Sequence, residues 1–266
     1  MTNPGEILVI KIGGSTLGSH DTTLRDVVSL HSRGLRPVVV HGGGNKVTEW
    51  LGRLGIETEF VRGRRVTDTE TLQVVIAVLA GLVNKELVSS IIAHGGNAVG
   101  LSGADGGLMR AEIREPDLGY VGEITQVDPA PVNALLDAGY IPVIATSALG
   151  PSSADGNDTQ LLNVNGDTSA CEIAVALKAS RLIFLTDVPG VKDGQGAVLS
   201  TLTRSQAQTL MDSGVISGGM IPKVAACLHA LPSVPTTQII DGRPTGALVE
   251  AADSVHTGTT IVGGRE

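Results

Sequence analysis

The chain has 266 residues, a formal charge of −8 and 42% hydrophobic residues, which excludes an intrinsically disordered chain. The acidic balance and a 2% aromatic content exclude a general nucleic-acid surface, which needs a basic face and stacking rings. Thirty-five glycines without a three-residue period exclude collagen and raise the question of where the backbone itself makes contacts.

Short β-branched runs alternate with helical patterns along the chain. Ile7–Ile12 reads as a buried strand, and Leu24, Val27 and Val28 follow helical spacing after Asp21 and Thr22. Pro37–His41 is a second strand, and Val47, Trp50, Leu51 and Leu54 mark a helix face. Thr69 to about His94 predicts a long helix with Leu72, Val75, Ile76, Leu79, Leu82 and Val83 inward. Asn97–Leu101 is a third strand, and Gly106–Ile124 a β-hairpin excursion. Val132, Leu135 and Leu136 mark a helix, Ile141–Ala145 a strand and Gly150–Thr159 a loop. An Ala-rich helix over Asp167–Lys178, with Asp167 as its N-cap, precedes a strand at Arg181–Thr186. Helices near Arg204–Ser213 and Pro222–Leu231 and a strand at Thr236–Ile240 follow. Strands separated by helices imply an α/β fold with a mostly parallel sheet covered on both faces. The plausible boundary of roles lies near residues 176–181.

Several common motifs are missing. The segment Gly42-Gly43-Gly44-Asn45-Lys46 lacks Walker spacing, and Gly13-Gly14-Ser15-Thr16-Leu17-Gly18 fails the dinucleotide fingerprint at its third position. Cys171 and Cys227 sit in apolar helical contexts as buried free thiols, with no metal-ligating set. There is no signal-peptide pattern and no uninterrupted apolar run of about 18 residues, so a cytoplasmic chain without a membrane span is expected.

What is present is glycine at strand ends, where open α/β sheets bind ligands: Gly13-Gly14, Gly42-Gly43-Gly44 and Ser102-Gly103. A triple glycine between strand and helix brings backbone N–H groups to an anion. Lys11 interrupts an apolar strand just before the first glycine pair, although lysine is seldom buried unpaired. Lys223 opens a helix and opposes its dipole, which makes sense with an anion bound there. Arg65, in a turn-rich stretch, is a candidate carboxylate clamp. His41, at a strand end, is structural or ligand-facing on equal grounds.

Taken together, KIGGS (Lys11–Ser15), VVVHGGG (Val38–Gly44), GRRVTD (Gly63–Asp68), GLVNKELV (Gly81–Val88), LLNVNGDTSA (Leu161–Ala170), LTDVPGV (Leu185–Val191) and GGMIPKV (Gly218–Val224) resemble the amino-acid kinase family. The closest resemblance is to its arginine-biosynthesis branch. It implies an open three-layer α/β/α sandwich, with a substrate and dimerisation lobe over residues 1–178 and an ATP lobe over 179–266. It further implies phosphoryl transfer from MgATP to the side-chain carboxylate of N-acetyl-L-glutamate by a cytoplasmic homodimer. Carried over by position, Lys11 and Lys223 would stabilise the transferring group, with Asp167 organising both. Gly43, Gly44, Arg65 and Asn163 would hold the substrate. Gly13, Gly14, Thr186, Asp187 and Gly190 would hold the nucleotide, with Mg2+ carried mainly by its phosphates.

Two departures stand out. Arg64 replaces an apolar residue and competes with Arg65, and Gly166 replaces an alanine. The short stretch before the first strand implies a dimer without a hexamer-forming helix, and weak arginine feedback. The rival readings are a kinase of carrier-linked aminoadipate, or a non-catalytic amino-acid sensor on the same fold.

Overall fold

Runs of Val, Ile and Leu without alternation are stable only inside a sheet covered on both faces, and the computed structural model places them there. It describes residues 3–13, 21–152, 159–253 and 256–263. The first half contains β1 (Ile7–Ile12), α1 (Asp21–Ser32), β2 (Arg36–His41), α2 (Gly44–Arg53), β3 (Phe60–Val61) and β4 (Arg64–Arg65). After α3 (Thr69–Ile76) and α4 (Asn84–Ala93) come β5 (Ala98–Ser102), β6 (Met109–Glu112), β7 (Val121–Val127), α5 (Ala130–Asp137), β8 (Ile141–Ala145), β9 (Ser147–Pro151) and β10 (Thr159–Val164). The remainder is α6 (Gly166–Ala176), β11 (Arg181–Thr186), β12 (Thr201–Thr203), α7 (Arg204–Asp212), α8 (Met220–Ala230), β13 (Thr236–Asp241), α9 (Ala247–Asp253) and β14 (Thr259–Val262).

Eight strands form one sheet in the order β12-β14-β13-β11-β1-β2-β8-β5. The six from β13 to β5 run parallel, while β14 is antiparallel to β13 and carries β12 with it. Successive residues of β1 point to opposite faces. Leu8, Ile10 and Ile12 join the core layer under α1, the Thr69–Ala93 helix and α9. Val9 joins the layer under α6 and α8. Lys11 shares the parity of Val9, so strand geometry sends its side chain toward α6 and α8.

The predicted long helix is one run through a π-helical segment, Ala77–Val83. Six of its eight buried positions, Thr71, Val75, Leu79, Val83, Leu87 and Ile91, recur every four residues, with Val78 and Asn84 buried beside that row. In a plain α-helix such a row drifts by about 40° per step. The wider π turn takes up that drift, which is why Ile76 and Leu82, inward by a 3.6 period, are only half-buried. By length and composition alone this 25-residue helix, mean hydropathy 1.8, is long and apolar enough to cross a membrane. Its buried row docks it on the sheet instead, and only 39% of its most apolar window is buried.

The predicted hairpin exists as β6 paired to β7, but β9 and β10 close it into a small barrel. Of the expected loop Gly150–Thr159, Gly150 and Pro151 end β9 and Thr159 begins β10, while residues 153–158 lie outside the described ones.

Candidate active site

The amino-terminal turn of α6 lies over the carboxyl end of β1. Its N-cap is Asn165, whose Oδ1 accepts the N–H groups of Asp167 at 2.8 Å and Thr168 at 3.1 Å. The sequence expectation that Asp167 caps this helix is corrected accordingly. Relieved of capping, the Asp167 carboxylate takes Lys11 Nζ at 2.7 Å on one oxygen and Lys223 Nζ at 3.0 Å on the other. Lys223 reaches it from the first turns of α8 and also donates to Gly219 O at 3.4 Å.

The electrostatics of this trio are unequal. Burial pulls the Lys11 ammonium below its ordinary 10.5; Asp167 opposes that shift, and the neighbouring Lys223 charge adds to it. Burial pushes the Asp167 carboxyl upward, but the two ammonium groups outweigh it and hold the carboxyl below its ordinary 3.8.

Beside the trio is a cavity of about 190 Å³, lined among others by Gly42, Gly43, Gly44, Arg65, Asn163 and Gly166. Gly43 has φ 157° and ψ 28°, which suits glycine, and no side chain caps α2 behind it. The first N–H groups of α2 thus have no intrahelical acceptor. Arg65 is 9% exposed; its Nη2 donates to Gly44 O at 3.1 Å and Thr48 Oγ1 at 2.7 Å, and its guanidinium stacks on Phe60. Its Nη1 is buried without a partner among the described residues. An unpaired guanidinium nitrogen on a cavity wall is what a carboxylate clamp without its ligand presents. Asn163 Nδ2 donates to Thr67 Oγ1 at 3.1 Å, which fixes the amide at the same wall.

Arg64 also lines both cavities, but its guanidinium is already paired with Glu115, which pairs with Arg62 as well. A second, wider cavity of about 750 Å³ shares Gly63, Arg64 and Asn165 with the first and opens toward Gly218, Gly219 and Pro222.

Of the predicted nucleotide residues, Gly13, Thr186, Asp187 and Gly190 follow or end β1 and β11 and line neither cavity. Thr186 ends β11, and its Oγ1 is occupied by Val188 and Ile240. Asp187 is exposed beside it. Gly190 has φ 148°, and a Cβ there would stand 2.6 Å from Thr259 Oγ1. Gly13 ends β1, and Gly14 lies outside the described residues. Ser102-Gly103, on the edge strand β5, does not join the site: Asp105 caps Ser102, and Gly103 packs under Met109.

Sequence reasoning missed the support behind the triple glycine. His41 is fully buried; its Nδ1 lies 2.9 Å from Gly42 O and its Nε2 3.1 Å from Asn84 Nδ2. Burial drops its pKa to about 4, so the ring is neutral, with Nδ1–H donating and Nε2 accepting. Asn84 also donates to Val143 O at 2.9 Å and accepts from Lys85 Nζ at the same distance. The signal was an asparagine ending an apolar helical run, a residue costly to bury unless it is bonded.

This arrangement, a cation pair on one carboxylate at the carboxyl edge of a parallel sheet, is one for handling anionic groups. The chain belongs to the amino acid kinase family, whose family model matches residues 6–241. It is 46% identical over 257 residues to an acetylglutamate kinase of Dehalococcoides mccartyi, covering 97% of this chain and 94% of that one. It is 48% identical over 262 residues to an acetylglutamate kinase of Cereibacter sphaeroides, covering 97% and 88%. Among solved structures, smu.665 of Streptococcus mutans UA159 is similar with a TM-score of 0.80 and 31% identity, covering 97% and 99%.

Proposed function

We propose that the chain is an acetylglutamate kinase of arginine biosynthesis, transferring the γ-phosphoryl group of ATP to the side-chain carboxylate of N-acetyl-L-glutamate. The observation that carries this reading is the buried, unpartnered Arg65 Nη1 on a small cavity beside the Lys11–Asp167–Lys223 trio. At about 190 Å³ that cavity is below the roughly 300–1,000 Å³ of pockets for larger ligands, and it suits an amino-acid derivative.

A glutamate-type carboxyl, with a pKa near about 4.3, is already ionised at neutral pH, so no general base is needed. One of its oxygens forms a bond to the γ-phosphorus while the bond from phosphorus to the β–γ bridging oxygen breaks. ADP leaves with that electron pair, and no proton moves. The obstacle is two anions approaching each other, and positioned cations and backbone dipoles lower it. Lys11 and Lys223 bear on the transferring phosphoryl group, and Asp167 holds both ammonium groups in place. Arg65 and Asn163 hold the substrate, while Gly43 and Gly44 offer it backbone N–H groups.

The nucleotide is assigned to the edge that carries Gly13, Thr186, Asp187 and Gly190, with Gly14 next to Gly13 in the sequence. Asp167 has both oxygens committed to ammonium groups, so Mg2+ falls to the phosphates, whose charge it neutralises. The sheet is continuous, with the strands of residues 1–178 on the β1 side of the β1–β11 pairing and those of 179–266 on the β11 side, an order that supports a substrate lobe over 1–178 and an ATP lobe over 179–266. The partly uncovered apolar helix Thr69–Ala93, with Ile92 54% exposed, favours a homodimer built on that face. Sedimentation at twice the 27.2 kDa chain mass, lost in Ile92→Glu, is the expected result. Two buried free thiols and a need for ATP support a cytoplasmic setting.

The test is to trap the acyl phosphate with hydroxylamine, using purified chain, ATP and a panel of acids. N-acetyl-L-glutamate is expected to give hydroxamate, and free L-glutamate far less. Product only from carrier-linked aminoadipate, or ATP binding without turnover, would replace this reading with the aminoadipate kinase or the sensor.

A further inference from the structure

α6 and α8 pack side by side on one face of the sheet and carry Asp167 and Lys223 near their amino-terminal ends. Cys171 follows Asp167 by four residues, one helical turn further from the site. Here the two helices bring together Cys171, Glu172 and His229, none of which the phosphoryl transfer uses. His229 Nε2 stands 3.1 Å from Glu172 Oε1. One donor atom from each of the three residues, the Cys171 sulfur included, lies within 4.8 Å of the others.

We propose that Cys171, Glu172 and His229 form a binding site for a borderline-soft divalent cation, Zn2+, which ties α6 to α8 one turn behind the Asp167–Lys223 pair. Thiolate, imidazole and carboxylate are the donors zinc takes, whereas Mg2+ prefers oxygen alone, so the site does not compete for the metal that accompanies ATP. The geometry is close to complete. Donors around a tetrahedral zinc ion are about 3.3–3.8 Å apart. The His229–Glu172 pair is already near that separation, and the sulfur closes the set by moving about 1 Å. Three protein ligands leave the fourth position to water.

Access follows the exposure. Cys171 is 2% exposed, but the side chains of His229 and Glu172 are 63% and 28% exposed, so an ion enters from the surface and meets the sulfur last. At present Cys171 Sγ donates to Ala226 O at 3.1 Å; that proton is released when the thiolate binds. Cys227 is the natural control. It is fully buried and turned to Thr237 on β13, outside the cluster. Because α6 packs on β1 and β11 and α8 on β11 and β13, a bound ion restrains the two helices against each other.

The experiment uses the full chain stripped with a chelator, reduced with a phosphine and free of ATP, titrated with Co2+. We expect a thiolate-to-cobalt charge-transfer band that saturates at one equivalent and is displaced by Zn2+. Zn2+ should also raise the unfolding temperature. The band disappears in Cys171→Ser, persists in Cys227→Ser, and needs at least about tenfold more metal in His229→Gln. Absence of the band, or its survival in Cys171→Ser, overturns the proposal. Should Cys171→Ser fail to fold, the exposed His229→Gln decides, and unchanged Co2+ affinity there overturns it equally.

Discussion

Asp167→Asn preserves shape and removes the negative charge that pairs with both Lys11 and Lys223. Lys11 is 7% exposed and Asp167 5%, so the water that would screen the two ammonium groups is largely excluded. Breaking a buried pair by removing one partner costs about 3–5 kcal/mol. A domain holds roughly 5–15 kcal/mol in all, so the variant folds, with a much lower urea midpoint. The charge state also changes. Burial and Lys223 already pull the Lys11 pKa down, and Asp167 is what opposes them. Without it the pKa falls further, and Lys11 loses its proton at a pH where the wild type keeps it.

The assay is kcat/KM for acetylglutamate by hydroxamate trapping across neutral and alkaline pH. The wild type should lose activity on the alkaline side, as pH rises through the Lys11 pKa. In Asp167→Asn that limb moves to lower pH, and activity at neutral pH falls by about 10²–10³-fold, the scale of a lost electrostatic donor. Lowering the pH should recover part of it by reprotonating Lys11. The stability linkage has its own sign. The carboxyl is held below 3.8 in the folded state, so its contribution is present above that value and lost as pH falls through the folded pKa. Acid should therefore destabilise the wild type more steeply than the variant. Activity within tenfold of wild type, together with an unmoved alkaline limb, would refute the argument.

Arg65→Lys replaces a fork with a point charge and should raise KM for acetylglutamate by roughly 10- to 150-fold, the value of about 1.5–3 kcal/mol in charged hydrogen bonds, with kcat little changed. An unmoved KM places the clamp elsewhere. At Gly166 a Cβ would meet Lys11 Cε at 3.4 Å, an ordinary contact, and the position has no left-handed φ. Gly166→Ala should stabilise by about 0.4–1 kcal/mol in urea unfolding and retain activity; destabilisation contradicts the geometry. Gly190→Ala, with φ 148° and Thr259 Oγ1 at 2.6 Å, should cost at least about 1 kcal/mol, and an unchanged unfolding temperature would contradict that packing. His41 is neutral when folded, with a pKa near 4 against 6.5. Stability should therefore fall on acidification between those values, by up to about 1.4 kcal/mol per pH unit. His41→Asn should flatten that slope, and a slope unchanged in the variant rejects the assignment.

The sheet was legible because strands buried on both faces are uninterrupted in Val, Ile and Leu, and Lys11 stood out against that background. Lys223 and Arg65 were legible for a similar reason, as charges placed where bland structure gives them little to do. What could not be read is what depends on partners distant in sequence. Asn165 and Asp167 are both good caps on paper, and only the position of Lys11 and Lys223 shows which one is needed elsewhere. The barrel closure escaped because β9 and β10 are flanked by turn-rich residues that local chemistry assigns to a loop. The π segment escaped because a 3.6 period was imposed on a row that recurs every four residues.

The two lysines are not interchangeable, and their mounting says why. Lys11 is set near the carboxyl end of a central strand paired on both sides, to Val40 and to Phe184. Asp167 stands on the helix directly above, and the side chains at this contact are 8% and 7% exposed. That pair has no freedom to separate without disturbing the sheet. Lys223 is mounted on α8, its side chain is 19% exposed, and it follows Ile221 and Pro222, which line the wider cavity. Lys11→Met should therefore impair folding as well as turnover, because it leaves Asp167 short of a buried partner. Lys223→Met should impair turnover with a much smaller loss of stability, because solvent takes up part of the lost charge. Equal urea midpoints for the two variants would show that the sheet-mounted lysine is no better anchored than the helix-mounted one.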